Sequence, residues 1–223
     1  RDHIMQVTLN RPDIHNAISH TRMIDEIVDA CDYANKHSTI RALILTGAGK
    51  SFCAGGNVKD MRDKTDMFAG SLEEIELGYK NGIQRIPLAL ASIEVPVIAA
   101  INGAAVGAGF DITMMCDIRI GSENARFAES FVKLGIIPGD GGAWFLPRKI
   151  GPARAAQMAL TGAMIDAKTA LDWGILSECH APDDLLPRAW EIAKEIAQNP
   201  PLAVRQTKAL LQKSESLDLK HFN

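Results

Sequence analysis

The chain has 223 residues, of which 47% are hydrophobic and 23% charged, and its formal net charge is −3. These values are typical of a globular protein with a substantial core, and they argue against nucleic acid or an acidic membrane as a general partner. The four cysteines include no CxxC pair, which argues against a zinc site and predicts a reducing, cytoplasmic location. Polar residues and glycines interrupt the apolar region 95–116, so we predict no membrane span.

Strands and helices alternate in the first part of the chain, and helices dominate after about residue 151. The predicted strands are 4–9, 41–45, 97–101, 118–121 and 126–128, and the predicted helices are 21–36, 71–92, 143–150, 153–160, 167–173, 185–198 and 202–213. Ser71 and Glu74 have the spacing of a capping box. Segment 62–71 has no period and is a candidate for a mobile loop over a ligand. We therefore expect an α/β fold with a helical C-terminal region.

Two glycine-rich segments share one design. The strand RALIL leads to FCAGGN at 52–57, and the strand VIAAI leads to NGAAVGAG at 102–109. Each delivers small residues to the start of a helix-like segment, where backbone N–H groups lack helical partners. If both corners face one pocket, they offer two N–H groups to one oxygen, as an oxyanion hole does. Glycines here also fit a purely structural role in tight turns and close packing.

Six motifs carry a resemblance to a known family. They are LNRPDIHNAIS, FCAGGN, PVIAAINGAAVGAG, MMCDIRI, LGIIPGDGG and the pattern from Thr161 to Leu176 that ends in WGIL. In this order and over nearly the whole chain, they resemble the crotonase (enoyl-CoA hydratase/isomerase) superfamily. The resemblance implies one crotonase-type domain over 1–223. Its spiral of ββα units would span about 1–150, and about 151–223 would be a mostly helical segment of the trimerisation type, which the sequence could truncate.

The same resemblance implies an acyl-CoA thioester as the substrate, with coenzyme A as part of that substrate and no prosthetic group. Its thioester oxygen would lie between the N–H groups of Gly56 and Ala108. The family more often has glycine at the second position, but alanine keeps the N–H group. The positions that match the path of the CoA adenine and phosphates are Asn16, Ala17, Ala54 and Lys59. A lone exposed lysine such as Lys59 is also typical of solvated surface.

Hydratases of this family use two glutamates, and the sequence departs from both. The first position is Asp111, and the second is Phe131, which cannot transfer a proton. Glu129 lies two residues earlier, and we expect its side chain to project differently. Asp140 is the natural substitute, because a glycine-rich loop can bring a short acid close to a ligand. The alternatives are structural: Asp140 would cap the helix 143–150, and Asp111 would favour a helix dipole.

We therefore predict an enzyme of the enoyl-CoA hydratase/isomerase type that moves a proton through an oxyanion-stabilised enolate. The acids favour an isomerase or a non-standard hydratase. The alternatives are a CoA-thioester hydrolase or decarboxylase on the same fold, or a crotonase-fold binding protein without turnover. The resemblance predicts a homotrimer or hexamer that binds neither nucleic acid nor membrane. Asp117 and Arg119 are expected to be structural, and Cys53 and Cys116 to be buried fillers.

Overall fold

The computed structural model describes residues 2–18, 21–65 and 68–214. The strands are β1 Ile4–Leu9, β2 Ala42–Gly47, β3 Ser51–Cys53, β4 Val97–Ile101, β5 Ala104–Val106, β6 Ile118–Ser122, β7 Arg126–Ala128, β8 Met164–Asp166 and β9 Glu178–His180. The helices are α1 Thr21–Lys36, α2 Val58–Asp63, α3 Leu72–Asn81, α4 Arg85–Ala91, α5 Ala108–Met115, α6 Gly142–Ile150, α7 Pro152–Thr161, α8 Ala167–Asp172, α9 Pro182–Ala197 and α10 Pro201–Ser214.

The longer strands form a parallel sheet of five in the order β1-β2-β4-β6-β9. All five residues of β4 are buried, as are the first five of β2. Such continuous apolar runs are typical of parallel strands that are covered on both faces. Helix α9 packs against β1, β2, β4 and β6 on one face. The core on the other face holds the elements that build the two glycine-rich corners.

The second sheet consists of short strands in the order β3-β5-β7-β8, with only β8 antiparallel. Each of β2, β4 and β6 runs through a turn into β3, β5 or β7. Helices return the chain to the first sheet directly after β3 and β5, whereas after β7 the chain adds β8 to the second sheet before it reaches β9. This repeat of two strands and a helix confirms the predicted crotonase-like spiral. Its consequence is that the starts of successive helices lie side by side, at the edge where both predicted corners are found.

Some predicted boundaries differ from the structure. The predicted helix 71–92 is two helices, because the backbone leaves the helical region at Gly82 (φ −109°, ψ −113°). The capping box of Ser71 and Glu74 is confirmed. Strands β3, β5, β8 and β9 were not predicted, since each has only three residues, and the last two lie in the region that was predicted to be mostly helical. Residues 66 and 67 of the predicted loop lie outside the described residues. Among the described helices, none has the length and apolar character that crossing a membrane requires.

Helix α10 is attached to the sheet through a buried lysine. Lys208 Nζ lies 2.7 Å from Asp117 Oδ2 and donates to the carbonyl of Val95 at 2.9 Å. Asp117 also accepts the N–H of Val97 at 2.8 Å, at the start of β4. Arg119 donates to two backbone carbonyls. The prediction that Asp117 and Arg119 have structural roles is confirmed.

Candidate active site

The first corner follows β3 and is held in place by one buried asparagine. The side chain of Asn16 accepts the N–H of Arg11 at 2.8 Å. It donates to the carbonyls of Ala48 and Ser51 at 2.9 Å and of Phe52 at 3.1 Å. Asn16 is fully buried, so these hydrogen bonds use its amide inside the protein. The structure therefore gives this side chain a structural role, and the expected place of Asn16 on the path of CoA stays a prediction.

The two corners touch through their backbones, which explains their glycines. A methyl group on Gly55 (φ +80°) would lie 2.5 Å from the carbonyl oxygen of Val106 and 3.2 Å from the nitrogen of Ala108. A methyl group on Gly109 would overlap the carbonyl oxygen of Cys53. Real side chains do not tolerate such contacts, so both positions need glycine. The second corner therefore packs directly onto the first, as the oxyanion-hole hypothesis requires.

The two predicted oxyanion donors carry unused N–H groups. Ala108 is the first residue of α5, after the N-cap Gly107, which adopts φ 53°. The first N–H groups of a helix have no helical acceptor. Within the described residues, neither the N–H of Ala108 nor that of Gly56 has a hydrogen-bond acceptor. The adjoining corners thus present two free backbone donors, one of them at a helix N-terminus that favours negative charge.

Three acids converge behind these donors. Asp111, Glu129 and Asp140 have exposed fractions of 0%, 1% and 4%. Asp111 lies in the first turn of α5, and its Oδ2 accepts the N–H of Gly142 at 3.1 Å. A methyl group on Gly142 would overlap a carboxyl oxygen of Asp111 and one of Glu129 at the same time. These two carboxyl groups therefore approach one another beside the start of α6.

The sequence did not place Glu129 in the site. Strand β7 ends at Ala128, and Phe131 begins a 3-10 helix that ends at Leu134. Glu129 therefore lies in the link between two elements, where strand or helix periodicity does not set its direction. Its side chain turns inward, and the ring of Phe131 packs against the Gly107 backbone. The only sequence signal was a lone acid between small residues at the end of an apolar strand.

Asp140 does not cap helix α6. The N-cap of α6 is Gly141, without a side-chain cap, and Asp111 takes the N–H of Gly142 instead. Oδ1 of Asp140 has no donor within the described part of the chain. Asp140 and Ala108 line one narrow space between apolar side chains. The structural alternative for Asp140 is therefore wrong, and its carboxyl group adjoins the second corner.

Burial sets the charge of this cluster. It raises the pKa of Asp140 to about 6 and that of Glu129 to about 7, and the charge of Asp140 adds to the effect at Glu129. Burial also raises the pKa of Asp111 well above its usual range, with Glu129 as the next cause. Buried acids that face other acids hold protons near neutral pH. The cluster can therefore both accept and release a proton at physiological pH.

A cavity of about 730 Å³ lies beside the first corner, between α2, α3 and the segment 134–136. Its apolar lining includes Met61, Phe68, Leu72, Ile75, Tyr79 and Ile136. A methyl group on Gly56 would meet the tip of Met61, so the cavity adjoins the first donor. Burial and the charge of Asp140 both raise the pKa of Tyr79, which links the cavity to the acids. The cavity can hold an apolar acyl group.

The other predicted CoA positions lie around the first corner. Ala17 lines a groove of about 640 Å³ together with Arg11 and Arg22. Ala54 precedes the corner glycines, and its N–H donates to the carbonyl of His15 at 3.0 Å. Lys59 is exposed in the first turn of α2. The structure thus places these positions near one corner without bringing them into one site. Within the ranges that the structure describes, no group of three His, Cys, Asp or Glu side chains is arranged to hold a metal ion.

Cys53 and Cys116 are not nucleophiles of this site. Both are fully buried, and burial raises the pKa of each thiol to about 12. A thiol with so high a pKa carries almost no thiolate at neutral pH. The prediction that they fill the core is confirmed.

Comparison with known proteins agrees with this geometry. The family model described as enoyl-CoA hydratase/isomerase matches residues 1–222. The chain belongs to the enoyl-CoA hydratase/isomerase family. It is 39% identical to the short-chain-enoyl-CoA hydratase of Clostridium acetobutylicum, over 96% of this chain and 79% of that protein. It is 33% identical to the 1,2-epoxyphenylacetyl-CoA isomerase of Escherichia coli, over 96% of this chain and 80% of that protein.

The fold agrees as well. The crystal structure of an enoyl-CoA hydratase from Bacillus anthracis superposes with a TM-score of 0.91 at 33% identity, over 99% of this chain and 83% of the other. The protein is therefore an enzyme of the hydratase/isomerase type on the crotonase fold. Its relatives include both hydratases and an isomerase, so the reaction has to be argued from this chain's own acids.

Proposed function

We propose that this enzyme moves the double bond of an enoyl-CoA by proton transfer through a dienolate. The observation that carries the proposal is that Ala108 and Asp140 line the same narrow space. A thioester oxygen that binds the N–H groups of Gly56 and Ala108 would bring the neighbouring carbon atoms next to the Asp140 carboxyl group. Two preorganised donors lower the energy of the oxyanion that forms when a proton leaves carbon.

The reaction needs no atoms beyond the substrate and one mobile proton. As a carboxylate, Asp140 removes a proton from the allylic carbon, and the electron pair moves through the double bond to the thioester oxygen. A proton then adds at the other end of the dienolate, and the double bond has shifted with no change in composition. Burial raises the pKa of Asp140 to about 6, which suits a base that works near neutral pH. Coenzyme A takes part as the carrier of the acyl group, and these steps use no prosthetic group.

Hydration is the second candidate, because Asp111 and Glu129 supply two further carboxyl groups. Addition of water requires a water molecule that is held beside the double bond by two acids. Phe131 occupies the position at which the family resemblance predicts the second glutamate, and its ring is buried against the second corner. This replacement favours isomerisation over hydration.

The test is to incubate the enzyme with crotonyl-CoA and with a 3-enoyl-CoA in deuterated water and to follow the products by mass spectrometry. The proposal expects the shifted isomer with deuterium on carbon and no adduct of water. Asp140→Asn should abolish the exchange, whereas Asp172→Asn, which changes an exposed acid of α8, should not. A water adduct alone would identify a hydratase. Free coenzyme A would identify a hydrolase, and loss of carbon dioxide from a carboxyacyl-CoA would identify a decarboxylase. Calorimetric binding without any product would identify a binding protein.

We also propose that the protein is a single crotonase-type domain whose C-terminal helices, about 151–223, mediate self-association as a trimer or hexamer. Exposed leucines on α10 support this proposal: Leu202, Leu210 and Leu211. Light scattering coupled to size exclusion would measure the assembly, and a monomer at micromolar concentration would refute it. All four cysteines are unpaired, which supports the proposed cytoplasmic location.

A further inference from the structure

Glu129 is a deeply buried acid to which the proposed reaction assigns no role. Its exposed fraction is 1%, and neither carboxyl oxygen has a hydrogen-bond donor within the described residues. Burying a carboxylate without a hydrogen-bond partner costs free energy, so such a group either keeps its proton or has a functional role. The groups around Glu129 determine its protonation state.

The carboxyl group of Asp111 lies beside that of Glu129. A single methyl group on Gly142 would overlap one oxygen from each of the two acids, so both oxygens border the same point. Two carboxylates at such close range repel strongly, and pairs of this kind share one proton. The proton lies between two groups that would otherwise both be acceptors, which accounts for the missing donors.

The backbone holds this pair next to the second corner. The carbonyl of Ala128, the residue before Glu129, accepts the N–H of Gly107 at 2.8 Å. Gly107 directly precedes the predicted donor Ala108. On the other side of the pair, Asp111 belongs to the first turn of the helix that Ala108 begins, and it accepts the N–H of Gly142 at 3.1 Å. The two acids are therefore fixed relative to the place where the oxyanion would form.

The other ionisable groups that act on the pair are acidic or neutral. Asp140 faces it from the loop before α6, and Tyr79 faces Asp140 from α3. Among the described residues, no cation contributes to the pKa shift of Asp111, Glu129 or Asp140. Burial and Asp140 therefore both favour retention of one proton by the pair, and burial raises the pKa of Glu129 to about 7.

We propose that Glu129 is a positioning residue that shares one proton with Asp111, so that the pair is a carboxylic acid beside the oxyanion corner while Asp140 carries the negative charge. The inference rests on the proposed function and divides its two proton steps. Asp140 takes the proton from one carbon, and Asp111 gives the shared proton to the other, while Glu129 acts through Asp111 by keeping that proton in place. The proton on Asp140 then returns to Asp111, so the cycle consumes none.

The test compares Glu129→Gln with Glu73→Gln, which changes an exposed glutamate of α3. Glutamine keeps the size and polarity of the side chain but removes its carboxyl proton. Infrared spectroscopy follows the carbonyl stretch of protonated carboxyl groups as a function of pH and does not depend on turnover. In the wild type and in Glu73→Gln, this band should persist at neutral pH. In Glu129→Gln it should disappear about one pH unit or more lower, because Asp111 loses its acidic neighbour.

The pH profile of kcat supplies the functional measurement. In Glu129→Gln, the alkaline limb should move to lower pH by a similar amount, and kcat near neutral pH should fall about tenfold or more. A purely structural role would lower kcat equally at all pH values. Gly142→Ala, which inserts a methyl group between the two carboxyl groups, should have the same effect on the infrared band.

The inference would be overturned if Glu129→Gln left both the infrared carboxyl band and the alkaline limb of the kcat profile unchanged. It would also be overturned if the wild type showed no band from a protonated carboxyl group at neutral pH. If the band behaves as expected but the wild type neither isomerises its substrate nor exchanges deuterium, the shared proton of Glu129 and Asp111 is supported and the proposed function is refuted. The two failures are therefore distinguishable.

Discussion

The hypothesis of an oxyanion hole makes its sharpest prediction for Ala108→Pro. Ala108 is the first residue of α5, where proline is well tolerated because the N–H group has no helical acceptor. The chain already uses proline at this position in α7 and α9, at Pro152 and Pro182. The substitution should therefore delete one backbone donor while α5 stays intact.

The loss of one oxyanion donor lowers kcat by about 10²–10³, or about 2.7–4 kcal/mol of transition-state stabilisation. Because the charge on the oxygen develops only in the transition state, kcat and kcat/KM should fall by the same factor. The assay is deuterium exchange or isomer formation with an enoyl-CoA, alongside a thermal melt. The Ala108→Pro protein should melt as a folded protein.

Two variants complete the experiment. Ala108→Gly keeps the N–H group and should retain activity within a few-fold of the wild type. Ala167→Pro makes the same substitution at the first residue of α8, and it should cost no activity. If Ala108→Pro is folded and as active as Ala108→Gly, the assignment of Ala108 as a donor is refuted.

Three further predictions concern how the site is built. Gly109→Ala should separate the two corners, because its methyl group would overlap the Cys53 carbonyl. We expect the free energy of unfolding in urea to fall by about 1–3 kcal/mol and kcat to fall as well. The control Gly139→Ala, whose methyl group would make only an ordinary contact with Gln84, should change neither the stability nor kcat. Asn16→Ala removes four hydrogen bonds of a buried side chain and should cost about 3 kcal/mol; an effect below 1 kcal/mol would contradict its anchoring role. The acidic limb of kcat/KM should have an apparent pKa near that of Asp140, about 6, and a limb near 4 would contradict the assignment of Asp140 as the base.

The sequence was sufficient to predict the corners but not the arrangement of the acids. Each corner is local: an apolar strand, a turn and glycines lie within one short segment, at 41–57 and at 97–109, and the meaning of this pattern follows from backbone geometry alone. The contact of Asp111 with the Gly142 N–H spans 31 positions and depends on how α5 packs against the start of α6. Glu129 was missed because it lies between β7 and a 3-10 helix, in a link with no periodicity to set its direction.

Asn16 has a role that its motif did not predict. Its place in a motif suggested that it lies on the path of CoA, which stays a prediction, and the structure shows that its side chain holds the loops that shape the first corner. A motif residue can thus support a site by bonding to the backbone behind it. Sequence alone does not separate these two roles, because both require the same residue at the same spacing.

The buried acids should make the fold less stable at the pH where the enzyme works. Burial raises the pKa of Asp140 from 3.8 to about 6, so the folded protein binds more protons than the unfolded chain between these values. Stability therefore falls as pH rises through this window, by up to about 3 kcal/mol for this group. Asp140→Asn removes the titration and should be more stable relative to the wild type at about pH 8 than at about pH 4.

The measurement is the free energy of unfolding in urea at both pH values for the wild type, Asp140→Asn and the exposed control Asp172→Asn. The difference between Asp140→Asn and the wild type should grow with pH, while that for Asp172→Asn should stay constant. A difference that is independent of pH would show that the carboxyl group of Asp140 has an ordinary pKa in the folded protein. In that case burial would not be what prepares Asp140 to act as a base, and its proposed role would lose its physical foundation.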